Sequence, residues 1–394
     1  MTACRARRVD QVAGVFNGKT PSKVQQRDHG HPVLKIKDVD ELGRFRGTFS
    51  GYVEPEVAQK YTKQQIAGGE TLILNAAHSS THVASKTYYA DDKVTGSLAT
   101  GEWLMIRWDH EVADPRYGNH WINSPEIRFR LRRLVNGIHL YPKDVSRLHI
   151  PLPPLPEQKR IAAILDAADN LRAKRRESLA QLDTLLQSTF LEMFGDPVTN
   201  PMGWSTSAIG ELGEVITGNT PSRKNPEYYG DAIEWIKSDN INDPSFTLTK
   251  ADERLSKYGR SVARIAPEGS ILITCIAGSP SCIGNAGIAD RDVAFNQQIN
   301  AFVPSKHIDM WFAFSFFLVG KRLVQMASTN SMKGMVSKSA FSGIEVPLPP
   351  LDLQRRFATI VESLERQKTR LRNHLTELDT LFASLQSRAF NGEL

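Results

Sequence analysis

The chain has 394 residues, a formal net charge of +6 and 40% hydrophobic residues. This ordinary globular composition excludes a disordered or collagen-like chain, and the length suits two or three domains. Three cysteines, none of them in a C-x-x-C pair, are too few for a disulfide framework and favour a reducing cytoplasm. The longest apolar run is too short to span a bilayer, so we expect a cytoplasmic protein without membrane contact.

Residues 1–150 are predicted to form a mixed α+β domain. The segment VFNGKTPSK at 15–23 opens this region, and short apolar runs at 71–74 and 103–108 predict strands. Gly, Pro, Asn and Ser are concentrated between the runs, which is typical of long loops.

Residues 151–196 are predicted to form a helical region. Prolines cluster at 151–156, where they can precede a helix but cannot enter its interior. A helix of about 37 residues follows, with an expected length of about 55 Å. One heptad position of this helix falls at 161, 168, 175, 182 and 189, and Arg175 interrupts its apolar pattern.

Residues 197–346 are predicted to form a second α+β domain, with strands at 271–273 and 299–303 and a helix over 310–326. Residues 347–394 form a second helical region that again begins with prolines. The corresponding heptad positions of the second helix are 357, 364, 371, 378 and 385.

The net positive charge of the chain lies in the first α+β region. Residues 1–149 contain 22 Lys and Arg against 16 Asp and Glu, whereas residues 197–346 contain 14 of each. The densest basic run is RFRLRR at 128–133. Such a run is either the solvated face of an edge strand or helix, or a surface that follows DNA phosphates.

The two halves of the chain are repeats of each other. The segment IPLPPL at 150–155 recurs as VPLPPL at 346–351, 196 residues later, and LDTL at 182–185 recurs at 378–381. Two equal helices can bury each other's apolar stripes, so we favour a helix pair over a lone helix that packs on its own domain.

The repeat is weaker in the α+β regions. The entry segment VFNGKTPSK resembles VITGNTPSR at 215–223, and we find no convincing identity between residues 37–144 and the second half. The chain is therefore predicted to alternate a variable domain with a helix, twice.

A search for catalytic motifs fails. The sequence has no Walker A motif, no G-x-G-x-x-G after a strand, no H-E-x-x-H and no Cys/His spacing of a metal site, so we predict no catalytic residue, cofactor or metal. Asp144, Glu157 and Lys159 mimic the acidic pair and lysine of a magnesium-dependent nuclease. Prolines separate them, and the second copy has Ala340 and Leu353 at the acidic positions.

The duplicated Pro-Leu-Pro-Pro-Leu-x-x-Gln motif before each helix, with the entry motif Val/Ile-x-x-Gly-x-Thr-Pro-Ser, resembles the specificity (S) subunit of type I restriction-modification enzymes. The resemblance implies an α+β fold in which two target recognition domains are separated by two long helices. These helices form an antiparallel coiled coil, and a pseudo-twofold internal repeat relates the halves.

The resemblance also implies a function. Each recognition domain reads one half of a bipartite double-stranded DNA target, and the helices set the spacing between the halves. Two methyltransferase (M) subunits bind the chain, and restriction (R) subunits join through them. A magnesium-dependent DNA nuclease and a coiled-coil scaffold without DNA readout remain alternatives.

We predict DNA contacts in two groups. The entry motifs serve phosphate positioning or local structure, through Lys19, Thr20, Ser22 and Lys23 in the first copy and Asn219, Thr220, Ser222 and Arg223 in the second. Bases are read where the halves differ, through Ser79, Ser80, His82, Lys86, Arg116, Asn119 and His120 in the first domain. In the second domain the candidates are Ser238, Asn240, Asn296, Gln297, Ser331 and Lys333.

Overall fold

A computed structural model describes residues 5–241, 246–329 and 334–394. The chain divides into two compact units, Met1–Arg176 with Asn373–Leu394, and Glu177–Arg372. Each unit contains one mixed α+β domain together with part of both long helices, so the α+β expectation is confirmed in each unit.

The first unit is built on two four-stranded sheets. Its strands are β1 (Arg5–Arg8), β2 (Ala13–Asn17), β3 (Gln26–Arg27), β4 (His31–Leu34), β5 (Tyr52–Val53), β6 (Thr71–Leu74), β7 (Thr87–Tyr89), β8 (Leu98–Ala99), β9 (Trp103–Trp108) and β10 (His149–Leu152). Its helices are α1 (Pro55–Gln59), α2 (Pro115–Ile122), α3 (Pro125–Arg133) and α4 (Pro142–Val145), and the first long helix, α5 (Leu155–Phe194), begins in this unit. The sheet orders are β2-β9-β6-β7 and β3-β5-β4-β8, and β1 pairs with β10. Both strands predicted in this region, β6 and β9, are confirmed.

The second unit repeats this plan. Its strands are β11 (Thr206–Ala208), β12 (Gly213–Thr217), β13 (Tyr229–Ile236), β14 (Arg254–Leu255), β15 (Ile265–Ala266), β16 (Ile271–Thr274), β17 (Ala286–Ile288), β18 (Val293–Phe295), β19 (Ile299–Pro304) and β20 (Glu345–Pro347). Its helices are α6 (Ile209–Leu212), α7 (Lys257–Val262), α8 (Met310–Val319), α9 (Lys321–Met326) and α10 (Lys338–Ser342), and the second long helix, α11 (Leu351–Asn391), begins in this unit. The sheet orders are β12-β19-β16-β17 and β14-β13-β18-β15, and β11 pairs with β20.

The helix predicted over 310–326 is two helices. α8 ends at Val319 and α9 starts at Lys321, with Gly320 between them donating its backbone N–H to the Phe316 carbonyl. Glycine is a poor helix former and a common helix terminator, so the helix ends at Gly320 although the apolar sequence pattern continues beyond it.

The α+β regions share a sheet topology that sequence identity did not reveal. β2-β9-β6-β7 and β12-β19-β16-β17 have the same order and the same antiparallel pairings. β6 and β16 are buried along their whole length in both units. A sheet is specified by which positions are buried and by the pattern of apolar residues more than by residue identity. Two regions can therefore share a sheet topology without detectable sequence identity.

The long helices run antiparallel. In the first unit, Ile161 and Leu165 near the start of α5 share a core with Leu385 and Ala389 near the end of α11. In the second unit, Phe190 near the end of α5 packs edge-on against Phe357 near the start of α11. The prediction of an antiparallel helix pair is therefore confirmed within each unit.

The middle of α5 is only partly buried. Between Ala168 and Leu186, a segment that the structure describes throughout, no side chain of α5 is fully buried, which agrees with the interruption predicted at Arg175. Leu182 is partly buried against the core of the second unit. Ion pairs also join the two helices in this region. Arg172 Nε lies 2.6 Å from Asp379 Oδ1 in the first unit.

The second unit contains the equivalent ion pair. Lys368 Nζ lies 2.5 Å from Asp183 Oδ1 and 3.7 Å from the centre of the Phe246 ring. Lys368 and Asp183 are the repeat counterparts of Arg172 and Asp379, each 196 residues apart. The internal repeat thus extends to the charge pairs that join the two helices.

The glutamine of the repeated proline motif connects each long helix to its α+β domain. Gln158 accepts a hydrogen bond from the Asp114 N–H at 2.9 Å and donates to the Pro153 carbonyl at 2.9 Å. Gln354 makes the same contacts with the Asp309 N–H, at 2.9 Å, and the Pro349 carbonyl, at 2.8 Å. Asp114 and Asp309 in turn cap α2 and α8, so the motif fixes these helices against α5 and α11.

We expect Gln354→Ala to lower the free energy of unfolding by about 1–3 kcal/mol, because it leaves the partly buried Asp309 N–H and the buried Pro349 carbonyl unpaired. Chemical denaturation measures this. Gln367→Ala, on the exposed face of the same helix, is the control and should change stability by less than about 0.5 kcal/mol. Equal effects of the two substitutions would contradict this role of Gln354.

Candidate nucleic-acid interface

The entry motif of each α+β domain is a turn pressed against a neighbouring turn. The Gly18 N–H donates to the Trp103 carbonyl at 2.8 Å, and the Gly218 N–H donates to the Ile299 carbonyl at 3.1 Å. A Cβ at Gly18 would lie 2.2 Å from the Thr100 carbonyl oxygen. At Gly218 it would lie 2.2 Å from that of Asn296. Only glycine allows this close backbone approach, which explains why both copies keep it.

The threonine of the motif has a structural contact in both copies. Thr20 Oγ1 accepts a hydrogen bond from the Gly101 N–H at 2.8 Å, and Thr220 Oγ1 donates to Gln297 Oε1. Of the two interpretations of the entry motif, these contacts support local structure for Thr20 and Thr220.

The remaining entry-motif candidates are mostly exposed. In the first copy these are Lys19, Ser22 and Lys23. In the second copy Ser222 and Arg223 are exposed, and Arg223 Nη1 pairs with Glu253 at 2.8 Å. This hydrogen bond holds the pKa of the Glu253 carboxyl below its ordinary value.

Asn219 is held by its own domain. It donates to the Val262 carbonyl at 2.9 Å and accepts from the Arg264 N–H at 2.7 Å. Its amide group therefore ties the entry turn to the end of α7.

The loop after β6 and the loop after β16 share one backbone frame. We call residues 75–86 the first loop and residues 275–285 the second loop. A short 3₁₀ turn lies at the same place in each, Ser80–His82 and Pro280–Cys282. The hydroxyls of Ser79 and Thr81 lie 2.7 Å apart, as do those of Ser279 and Ser281.

The base of each loop closes through the same hydrogen bond. The Ala84 N–H donates to the Leu74 carbonyl at 2.8 Å, and the Gly284 N–H donates to the Thr274 carbonyl at 2.9 Å. Ala84 and Gly284 both have positive φ, of 57° and 82°. A left-handed alanine costs free energy that glycine does not, so the surrounding contacts impose the frame on the first loop.

The exposed tips of the two loops carry different chemistry on this common frame. His78, Ser80 and His82 are exposed in the first loop, where the second has Gly278, Pro280 and the partly exposed Cys282. All five residues of the first tip, HSSTH at 78–82, are histidine, serine or threonine and can donate or accept hydrogen bonds at base edges, whereas the second tip, GSPSC at 278–282, has two serines.

Each loop lies beside the entry turn of its own unit. The Asn75 N–H donates to the Glu102 carbonyl at 2.8 Å, and the Cys275 N–H donates to that of Gln298 at 2.8 Å. In the first unit, two clefts share Ile36 and Glu102. The structure thus brings together the candidates Thr20, Ser79, His82 and Lys86, which line these two clefts.

Several predicted base readers are buried and bonded to protein. Lys86 Nζ lies 2.9 Å from both the Val39 carbonyl and Glu41 Oε1, with 7% of its side chain exposed. Asn240 donates to the Lys250 carbonyl at 3.0 Å, and Asn296 donates to Gln298 Oε1 at 2.9 Å. These three side chains are held by hydrogen bonds within their own domain.

Arg116, Asn119 and His120 lie together on α2, and two of them contact α5. Arg116 Nη1 lies 3.2 Å from Asp166 Oδ2, and His120 Nε2 lies 2.7 Å from Asp166 Oδ1. α2 therefore uses these two side chains to contact α5. Asn119 accepts from the Asn123 amide at 3.2 Å.

The other candidates of the second domain are Ser238, partly exposed in a 3₁₀ turn, and Gln297, exposed beside Thr220. Ser331 and Lys333 lie outside the described residues.

The basic run at 128–133 forms most of α3, the helix among its predicted alternatives. Arg130, Arg132 and Arg133 are exposed on it. Arg128 instead turns inward, and its Nη2 donates to the Ser85 carbonyl of the first loop at 2.6 Å. Burial, with a contribution from Arg132, lowers the pKa of Arg128.

Lys321 is a residue that the sequence analysis missed. Its Nζ donates to the Ser281 carbonyl at 2.6 Å and to Asn285 Oδ1, both in the second loop. Burial lowers its pKa. An isolated lysine at the start of a short helix carries no sequence signal of such a contact.

The chain thus contains two similar α+β units. Each begins with the same turn and is followed by the same proline motif and long helix. The two units share one loop backbone and differ in the side chains at its tip. The family model described as "Type I restriction modification DNA specificity domain" matches residues 4–182 and 201–378. The chain belongs to this family. Its curated relatives are specificity subunits, the non-catalytic DNA-recognition components, and the prediction that the chain is not an enzyme is confirmed by that membership.

The relatives are distant. The type I restriction enzyme HindI specificity subunit of Haemophilus influenzae is 25% identical over 77% of this chain and 64% of that protein, so the chain spans less than two thirds of it. The type I restriction enzyme EcoBI specificity subunit of Escherichia coli is 24% identical over 98% of this chain and 85% of that protein.

Solved structures share the fold. The type I restriction-modification S subunit from M. genitalium matches with a TM-score of 0.57 and 15% identity, covering 98% of this chain and 96% of that chain. A chain from a structure of type I restriction-modification complex assembly matches with a TM-score of 0.56 and 19% identity, covering 99% and 98%. The predicted fold class is confirmed. No helix within the described ranges is long and apolar enough to cross a membrane.

Proposed function

We propose that the chain binds a bipartite double-stranded DNA target, with each α+β domain reading one half. One observation carries this proposal: the same loop frame occurs in both units, with different exposed side chains at its tip. A constant frame places side chains at a defined position, and a variable tip changes which bases they can bond.

The two long helices set the spacing between the half-sites in this proposal. Their nearly equal lengths of 40 and 41 residues, their antiparallel course and the equivalent ion pairs Arg172–Asp379 and Lys368–Asp183 support a pair of fixed length. A pseudo-twofold protein matches the near-twofold symmetry of the DNA backbone, as dimeric DNA-binding proteins match palindromic sites.

Phosphate contacts are assigned to the exposed cations of the first domain, Lys19 and Lys23 of the entry turn and Arg130, Arg132 and Arg133 of α3. Arg223 is their counterpart in the second domain. Base contacts are assigned first to the tips of the two loops, through Ser79, Ser80 and His82 in the first domain and Ser279 and Ser281 in the second. Ser238, Gln297, Ser331 and Lys333 are further candidates in the second domain. The buried Lys86, Asn240 and Asn296 act by holding their loops in place.

The partners proposed for this chain are two M subunits, with R subunits joining through them. The family implies assembly with both kinds of subunit. A chain with two equivalent halves presents two equivalent surfaces, which favours two copies of the same partner. The recognition domains in this scheme are residues 1–150 and 197–346, with the helical regions 151–196 and 347–394 between and after them.

Exchange of residues 197–346 for the matching domain of another family member tests the proposal. Methylation sequencing of cells that express the M and S subunits should then show a motif changed in one half and unchanged in the other. Exchange of residues 1–150 is the reciprocal control and should alter the opposite half. A change of both halves in either chimera would refute independent reading by the two domains.

The nuclease alternative has little support in the structure, because Glu157 pairs with Arg160 at 2.6 Å and Asp144 lies on the separate helix α4. Incubation of the pure chain with DNA and magnesium checks this alternative. DNA cleavage that is lost in Asp144→Ala would support a nuclease. Binding to duplex DNA without sequence preference or salt dependence would instead favour a scaffold.

A further inference from the structure

The two loops that carry variable tips are each anchored by one cation from the second helix that follows the β-sheet. In the first unit this cation is Arg128 of α3, bonded to the Ser85 carbonyl at 2.6 Å. In the second unit it is Lys321 of α9, bonded to the Ser281 carbonyl at 2.6 Å and to Asn285. The two residues are not matched by the sequence repeat, and they bond different positions of their loops. Each nevertheless joins its loop to the second helix after the sheet.

The rest of each loop frame is also duplicated. The His82 N–H donates to the Ser79 carbonyl at 3.0 Å, and the Cys282 N–H donates to the Ser279 carbonyl at 3.0 Å. The first residue of each loop is bonded to the chain segment that follows the helices. The Leu140 N–H donates to the Asn75 carbonyl at 2.8 Å in the first unit. The Val336 N–H donates to the Cys275 carbonyl at 2.9 Å in the second unit.

These contacts divide each loop into a buried, hydrogen-bonded base and an exposed tip. Val83 and Ala84 are buried in the first loop and Ile283 and Gly284 in the second, whereas residues 78–82 and 278–282 lie largely at the surface. The anchoring cations contact the carbonyl groups of the loop, so they hold its backbone and leave the tip side chains available.

We propose that residues 78–82 and 278–282 are the main specificity-determining segments of the two domains, and that Arg128 and Lys321 are the positioning residues that hold them. This inference rests on the proposed function, since it needs each domain to read one half-site. Arg128 and Lys321 act through the loop backbone and do not themselves need to contact DNA.

A graft tests the segments. Residues 278–282 (GSPSC) are replaced by the sequence of 78–82 (HSSTH) in the full chain, which is expressed with its M subunits, and the methylated motif is sequenced. The shared frame should accept the graft. We expect the half-site read by the second domain to change or become degenerate, while the first half-site stays as in the wild type.

A folded graft that leaves both half-sites unchanged would overturn the inference while leaving the proposed function intact. A wild-type complex that methylates no bipartite motif would overturn both. The two failures are therefore distinguishable in one experiment.

Lys321→Met tests the anchor, with Arg322→Met as the matched control on the exposed side of the same helix. We expect the purified M–S complex with Lys321→Met to lose about tenfold or more of its discrimination against a single mismatch in the second half-site. Binding to DNA that lacks both half-sites should change less than about twofold, because phosphate contacts are untouched.

The conservative variant Lys321→Arg should restore most of the discrimination. Discrimination at the first half-site should stay unchanged in every Lys321 variant. Wild-type discrimination in Lys321→Met, or an equal loss in Arg322→Met, would overturn the positioning role.

Discussion

Removal of seven residues from each long helix should shorten the spacer of the methylated motif by about three base pairs. Seven helical residues span about 10.5 Å, and one base pair of B-DNA spans about 3.4 Å. The deletions are residues 174–180 of α5 and their repeat equivalents, 370–376 of α11. Both half-sites should stay unchanged, and methylation at the original spacing should fall at least about 100-fold.

These deletions keep two of the ion pairs that join the helices, Arg172–Asp379 and Lys368–Asp183, and remove the pair between Arg176 and Asp379. Arg172 and Asp183 flank the first deletion, and Lys368 and Asp379 flank the second, so both pairs can still form. Deletion from α5 alone is the control. It leaves the ends of the helices out of register and should abolish methylation at both spacings. A double deletion that folds and keeps the original spacer would refute the helices as the determinant of spacing.

Gly218→Ala should lower the free energy of unfolding of the second unit by about 3 kcal/mol or more. Its Cβ would lie 2.2 Å from the Asn296 carbonyl oxygen, so the entry turn or the turn at 295–298 must move. Since these turns carry Thr220 and Gln297, recognition of the second half-site should fall with stability.

Gly278→Ala is the matched control in the same unit. Its Cβ would meet no atom within 4 Å, and it is exposed. Thermal unfolding of the complex should show a large loss for Gly218→Ala and little change for Gly278→Ala. In the first unit, Gly18→Ala and Gly14→Ala form the same comparison, since Gly14 offers only an ordinary contact with Phe16 at 3.6 Å. Equal unfolding temperatures within either pair would contradict the close approach.

The repeat is visible in the sequence, and it predicts most of the architecture: two α+β domains and two long helices. Proline motifs and heptad spacing located both long helices, because helix stops and apolar periodicity are local properties of the chain. The strands β6 and β9 were found for the same reason. Gly320 shows the limit, since an apolar run continued across a residue that ends one helix and precedes another.

The candidate site was predicted less well. Lys86, Asn240 and Asn296 were chosen for side chains that suit base edges, yet all three are buried in contacts with their own domain. Sequence shows which groups a side chain carries but not which groups lie opposite it, and a buried amide and an exposed one look alike in a loop.

The sequence by itself determined the duplication, the two long helices and the family, because each is written in spacing and motif. Only the tertiary structure revealed the common loop frame, the anchors Arg128 and Lys321, and the reason for Gly18 and Gly218. These features depend on contacts between segments far apart in the chain, such as Ser85 and Arg128, whose positions differ by 43. No local pattern records such a contact, since the two partners are joined by packing and not by spacing.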